Sequence, residues 1–392
     1  MGFIWWALPA LLTKRGIGLA EVAALSSFLT LPWVFKFLMG PVIDFAVARG
    51  FRLSNFIITC QIMMGLLLFT LVPIDWVNSY GLLTIALFLH GCFAASQDVG
   101  IDALAIRTVP ADELGRINGW MQTGMLGGRA LAAAAVVSLV SNGYQSLALG
   151  LVVALIWLPM LALYIARPDD GQSRTVEKVA GQAADNTDGF NLRDWRKLFT
   201  VTVLIGLWIA VTAGAGFEFF TVSIGPLLQQ LGGTDQHLQL LFGIAAPAGL
   251  ATGALAGGYY AASHNARLAT FIGILLVATS IILLATLILR EINLTPVEWL
   301  LPILVVYFAT GFLTASTYTL LMQISRGRFA ATRFAVFMSA TNGCEVWASF
   351  LGGRLTTSFG HAMTLLILLP ASLLAAPALL ILGGRQEREA DS

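Results

Sequence analysis

The chain has 392 residues, 57% of them hydrophobic and only 11% charged, with a formal net charge of +1. That is more apolar surface than one water-facing domain of this length can bury, so the composition excludes an ordinary soluble domain and predicts a multi-pass, all-α membrane protein whose main partner is lipid. The near-neutral charge, with Lys and Arg forming no patch, argues against a nucleic-acid partner, and Cys60, Cys92 and Cys344 lie in apolar segments at no metal-ligand spacing, so no metal or other cofactor is expected.

A membrane-spanning helix needs about 20 apolar residues. The first apolar piece, FIWWALPALL at 3–12, is about half that length and has no basic flank before it. It reads as the outer half of a first helix whose beginning is missing, not as a signal peptide. Full spans are predicted at 22–45, 53–73, 81–106, 116–140, 145–166, 199–224, 238–262, 268–289, 297–324, 332–356 and 361–382. Arg49, Arg52, Arg107, Arg116, Arg267, Arg326, Arg328, Arg333, Arg385 and Arg388 fall in alternate loops, which the positive-inside rule assigns to the cytoplasm. The one long polar interruption, 167–198, carries acids and bases in equal number and almost nothing to bury, as a solvated connector does. The expected organisation is an N-terminal transmembrane half at 1–166, a cytoplasmic linker at 167–198, a C-terminal transmembrane half at 199–383 and a cytoplasmic tail at 384–392.

A weak repeat supports two halves. GCFAASQDVGIDALAIR at 91–107 aligns with GFLTASTYTLLMQISRG at 311–327, Gly91 over Gly311 and Ala95-Ser96 over Ala315-Ser316, and each segment is the fourth span of its half. A parallel repeat of six plus six helices places function between the halves.

GPVIDFAVARGFR at 40–52 resembles the signature loop of the major facilitator superfamily: Gly40, Asp44, Arg49 and Arg52 match in type, with Phe45 where a basic residue is usual. In the second half, GGYYAASHNAR at 257–267 keeps the glycines and Arg267 but has no aspartate. LPWVFKFLMGPVID at 31–44 and ASQDVGIDALAIR at 95–107 are similar to the branch of AmpG-type muropeptide permeases and siderophore importers. The resemblance implies a major facilitator fold of two six-helix halves and proton-driven uptake of a bulky small-molecule substrate, by a monomer in the inner membrane of a bacterium.

Charges inside spans are costly and mark function. Asp98 lies about 13 Å inside the cytoplasmic boundary set by Arg107, and Lys36 about 12 Å inside the one set by Asp44. Sharing a depth on neighbouring helices, they are expected to form an ion pair. Asp102, one turn further in, is expected to meet Arg49, Arg107 or Arg116. Holding the first half together and taking part in gating or coupling both remain open for these carboxylates. Arg129 and Glu345 fall near the midplane, as does His90, while Glu218 falls near the outer end of its span, where a snorkelling side chain is the plain alternative. The candidates for proton coupling or gating are therefore Glu345, Asp98, Asp102, Lys36 and Glu218, with Glu345 the expected proton carrier. Those for substrate binding are Arg129, His90, Gln97 and Tyr318, and His90 can equally be a packing histidine. Tyr307, Ser316, Tyr318 and Thr319, with Trp5 and Trp6, can line a polar-aromatic cavity, a membrane-belt role being the alternative for the tryptophans. The Gly- and Ala-rich stretches at 123–128, 214–217 and 243–258 read as close helix packing, with hinges at Pro226 or Pro247 the alternative. No His-Glu-x-x-His, Gly-x-Ser-x-Gly or Walker pattern occurs, so an enzyme is not expected. A drug or metabolite exporter, a channel and a transporter-like sensor are the alternatives.

Overall fold

The computed structural model of the chain describes residues 2–166, 198, 200–327 and 329–390. The expected linker, Leu198 apart, lies outside the described residues, as do Arg328, the side chain of Trp6 and the end of the expected tail. Every regular element among the described residues is helical.

The short opening piece is a π turn, Phe3–Ala7, running without a break into α1 (Leu8–Lys14), with Pro9, which has no N–H to donate, just after the wider turn. The next run is broken: α2 (Leu19–Val34) ends two residues after Pro32, a 3₁₀ turn covers Lys36–Leu38, and α3 (Met39–Ala48) continues. Then come α4 (Leu53–Phe69), α5 (Tyr80–Thr108), α6 (Leu114–Ser141) and α7 (Gln145–Ala166). After the gap, α8 (Val201–Thr212) and α9 (Ala215–Gln230) form one run broken at Ala213 and Gly214. They are followed by α10 (Asp235–Leu240), a π turn at Leu241–Ala245, α11 (Ala246–Ser263), α12 (Ala266–Leu289), α13 (Leu300–Ser325), α14 (Ala330–Leu373) and α15 (Ala375–Ala390). Pro247 follows that π turn in the first turn of α11, and Pro226 sits inside α9.

Among the described residues, 9 helical runs are long and apolar enough to cross a membrane. Each of the eleven predicted spans is helical, and two details account for the smaller number. The 53–73 span is realised as a 17-residue helix, and the last two spans are one 54-residue run, Ala330–Gly383, bent inside α14 at Gly360. Gly360 has φ 75°, a left-handed conformation that glycine adopts without a Cβ penalty. Large apolar side chains point outward, Leu131 and Leu380 at 74% exposure each, as a lipid-facing surface requires.

The chain divides into two compact units. The first comprises Met1–Thr108, Gly128–Asp194 and Arg326–Ser339, and the second Val109–Gly127, Trp195–Ser325 and Ala340–Ser392. The first ten residues of α14 thus pack in the first unit, and the start of α6 packs in the second. In the first unit α5 packs on α2 and α4, and α4 on α7, around Phe3, Leu8, Leu29, Leu68, Trp76 and Leu87. In the second, α13 packs on α11 and α12 around Phe220, Ile274, Ile303 and Tyr307. The glycines of the repeat have equivalent duties: Gly91 of α5 lies against Trp33 and Pro32 of α2, and Gly311 of α13 lies against the Leu250 carbonyl of α11, so a Cβ at either position would meet the neighbouring helix.

Candidate functional site

In the first unit the break after α2 decides the chemistry. Its 3₁₀ turn carries Lys36, which is only 4% exposed, and Asp98 of α5 receives it: Lys36 Nζ donates to Asp98 Oδ2 at 2.9 Å. The Asp98 side chain is 37% exposed, so one partner is fully desolvated and the other is half in water. Asp102 is buried one turn further on, within electrostatic reach of both Lys36 and Asp98. The expected meeting of Asp102 with an arginine is corrected by the structure. Arg107 Nη2 donates to Asp44 Oδ1 at 2.9 Å, Arg116 pairs with Glu113 at 3.2 Å, and Arg49 lies 3.7 Å over the Phe45 ring. The i, i+4 spacing on α5 turns both aspartates toward Lys36 instead.

Asp44 forms the second feature of this unit. It caps the start of α14, accepting from Thr332 N at 2.8 Å, Thr332 Oγ1 at 2.7 Å and Ala331 N at 3.3 Å while it holds Arg107. A carboxylate at a helix N-terminus satisfies orphan N–H groups and the helix dipole together. Gly40, one turn before Asp44, permits the approach: a Cβ there would stand 2.5 Å from Thr332 Cα. Phe45 occupies the usual basic position of the signature loop and serves as a platform for Arg49, while Arg52 starts α4. Thr332 escaped the sequence reading because a threonine at a helix start is too common to single out.

The substrate-binding candidates separate. Arg129 of α6 lies 4.9 Å over the Trp5 ring, which packs at 5.0 Å against Trp33, and Lys36 senses its charge. His90 is buried with Nδ1 3.1 Å from the Met64 carbonyl, and Gln97 is half-buried on α5. These are in the first unit, and Tyr318 of α13 is half-buried in the second. Ser316, Thr319 and Tyr307 are buried in contacts within the second unit. Ser316 Oγ donates to Phe312 O at 2.7 Å and Thr319 Oγ1 to Ala315 O at 2.7 Å, both fully buried, and Tyr307 meets Phe220 edge-on at 5.2 Å. The glycine-lined surface of α11 draws these faces of α13 into helix packing.

The second unit also holds an unforeseen polar clasp. Asn118 of α6, 0% exposed, donates from Nδ2 to Ala315 O at 2.7 Å and to Thr319 Oγ1 at 3.3 Å, beside Gly115 and Gly119, which lie against Gly258 of α11.

The remaining charges of this unit gather at the break between α8 and α9. Because the run continues to Gln230, Glu218 lies near its centre and not near its outer end as expected. Glu345 lies midway between Ala330 and Gly360. The two carboxylates sense each other's charge, Glu218 half-buried and Glu345 exposed. Among the described residues no group of three or more His, Cys, Asp or Glu is placed to hold a metal ion.

A polytopic helical bundle with charges paired at mid-span and a carboxylate capping a distant helix has the make-up of a membrane transporter. The sequence pattern of the Major Facilitator Superfamily matches residues 1–344, and the chain belongs to that family: it is a multi-pass membrane transporter of a small-molecule substrate. A Rickettsia conorii (strain ATCC VR-613 / Malish 7) protein named AmpG 1 is 24% identical over 391 residues, 95% of this chain and 91% of that protein. The AmpG 1 of Rickettsia prowazekii (strain Madrid E) is 32% identical over 132 residues, which span 32% of this chain and 29% of that relative. Among solved structures, the proton:xylose symporter XylE matches with a TM-score of 0.69 at 13% identity, covering 96% of this chain and 89% of its own. The transporter FucP in its outward conformation matches with a TM-score of 0.67 at 12% identity, covering 97% and 96%. At such identities the structural likeness is one of fold.

Proposed function

We propose that the chain is a secondary transporter that takes up a bulky solute of muropeptide or siderophore type together with protons, by alternating access between an N-terminal half at 1–166 and a C-terminal half at 199–383. The 167–198 segment is its cytoplasmic linker and 384–392 its tail, and it works as a monomer in the inner membrane of a bacterium. The observation that carries the reading is the placement of two carboxylates, Glu218 and Glu345, in the middle of two spanning runs of one unit, within electrostatic reach of each other. Two ionised carboxylates within electrostatic reach at that depth are costly, so such a pair can take up a proton when it faces the proton-rich side and release it on the other. Glu345, the more exposed of the two, exchanges the proton, and Glu218 shares it. Arg129 holds an anionic group of the solute, a role that its position over the Trp5 ring supports. Asp44, with Thr332 and Arg107, forms a latch that must open in the transport cycle. The resemblance of segments 31–44 and 95–107 to the AmpG-type branch, and the AmpG-named relatives, support a solute of that class.

Proteoliposomes with an imposed pH gradient and no other ion gradient test this. Radiolabelled anhydromuropeptide or ferric siderophore is expected to accumulate inside against its gradient, and a protonophore should collapse the accumulation. Accumulation driven by sodium alone, or net extrusion under the same gradient, would overturn it.

A further inference from the structure

The break between α8 and α9 frees backbone groups at mid-span, and side chains from α14 occupy them. Val211 O accepts from Trp347 Nε1 at 3.1 Å, Cys344 is buried in one cluster with Ala215 and Ala348, and Gly216 N donates to Ser372 Oγ at 2.8 Å. Cys344 and Trp347 lie before the Gly360 bend and Ser372 after it, so both arms of α14 hold one break. Unsatisfied backbone groups at that depth would be costly, which explains why the sites are filled. It does not explain why the break lies where it does, one turn before Glu218. The Glu218 side chain folds back over it: a Cβ on Gly214 would meet Glu218 Oε1 at 3.4 Å. The carboxylate therefore lies at the N-terminus of the 16-residue α9, where the aligned peptide dipoles carry partial positive charge. Glu345, the neighbour of Cys344, brings a second negative charge within electrostatic reach. Among the described residues, the ionisable groups that interact electrostatically with Glu218 are Glu345 and Cys344, both on α14. The side chains packed at Gly216, Leu369 and Ser372 of α14 and Ile281 of α12, are uncharged.

We propose that Trp347, Cys344 and Ser372 are positioning residues: by holding the break, they fix the first turn of α9 beneath Glu218 and so set how Glu218 and Glu345 compete for a proton. This rests on the reading of the two glutamates as the proton-coupling pair. A helix end contributes an amount equivalent to about 0.2–0.7 pH unit to a nearby carboxylate, so a loosened break should be readable as a shift of that size.

Infrared difference spectra of the purified full-length protein, taken across a pH series without substrate, read the protonated carboxyl C=O band directly. The wild type is expected to show a titrating band that E218Q and E345Q each remove or alter. W347F keeps the aromatic ring but loses the N–H, and S372A acts from the other arm of α14. Each should move the midpoint by about 0.2–0.7 pH unit, with S372T returning it to the wild-type value and C344A serving as a third, independent perturbation. A band present but unmoved in W347F, S372A and C344A would overturn the positioning role and leave the proton pair standing. The absence of any band sensitive to E218Q or E345Q would overturn both.

Discussion

Lys36 has two carboxylates within reach and almost no water, which makes the cost of removing them strongly non-additive. Asp98→Ala deletes the 2.9 Å contact, but Asp102 remains to compensate the charge, and the deleted partner was itself 37% exposed. The single change should cost about 1–2 kcal/mol, between a surface pair and a buried one. Asp102→Ala leaves the direct pair intact and should cost less. The double change strands an ammonium that is 4% exposed, for which about 3–5 kcal/mol is expected. Coupling between the two sites should therefore exceed about 1 kcal/mol. Adding Lys36→Met removes the stranded charge and should recover most of the loss. Unfolding of the four variants by denaturant in micelles gives these differences from the midpoints. A double variant no less stable than Asp98→Ala alone, or no recovery with Lys36→Met, would refute the idea that one buried cation organises both aspartates.

Asp44→Asn should cost about 1–3 kcal/mol in the same assay, and Thr332→Val added to it should cost little more, because the two changes remove the same bonds; full additivity would contradict the cap. Asp75, exposed in the loop before α5, accepts from Val77 N at 2.8 Å and from Asn78, and these bonds hold its carboxyl below the usual carboxylate range. A carboxyl lowered by folding stabilises the loop above its ordinary value and loses that contribution as pH falls through its folded value. Amide exchange at Val77, corrected for intrinsic rate, should therefore rise in acid and lose that dependence in Asp75→Ala; a wild-type loop with no acid dependence would contradict it. Reporter fusions at residue 180 should read cytoplasmic and at residue 235 external, and the reverse pattern would overturn the orientation drawn from the loop arginines.

Much of this was legible in the sequence because membrane spans announce themselves by length and apolarity alone. The eleven spans were readable, and so was the Lys36 contact with Asp98, since depth in a membrane helix follows from residue counting. Partner choice among arginines was not. Counting placed Asp102 near Arg107, but Asp44 caps α14 from far along the chain and takes that arginine, a contact no local pattern encodes. Ser316 and Thr319 misled for a related reason: a hydroxyl in a span can face a cavity or bond back to its own helix, and only the packing against α11 selects the second. Glu218 was misplaced because Gln229 and Gln230 look like a loop, whereas the helix runs through them. The break beside it left no mark beyond GAG at 214–216, a pattern that close packing explains equally well.

The central claim is that Glu345 exchanges the coupling proton, and Glu345→Gln in proteoliposomes tests it most directly, because it keeps the shape of the side chain and removes its titration. Uphill accumulation of the labelled solute under a pH gradient should be abolished, while exchange of labelled for unlabelled solute across the same membrane persists. Accumulation that remains pH-dependent and at the wild-type level in this variant would contradict the account.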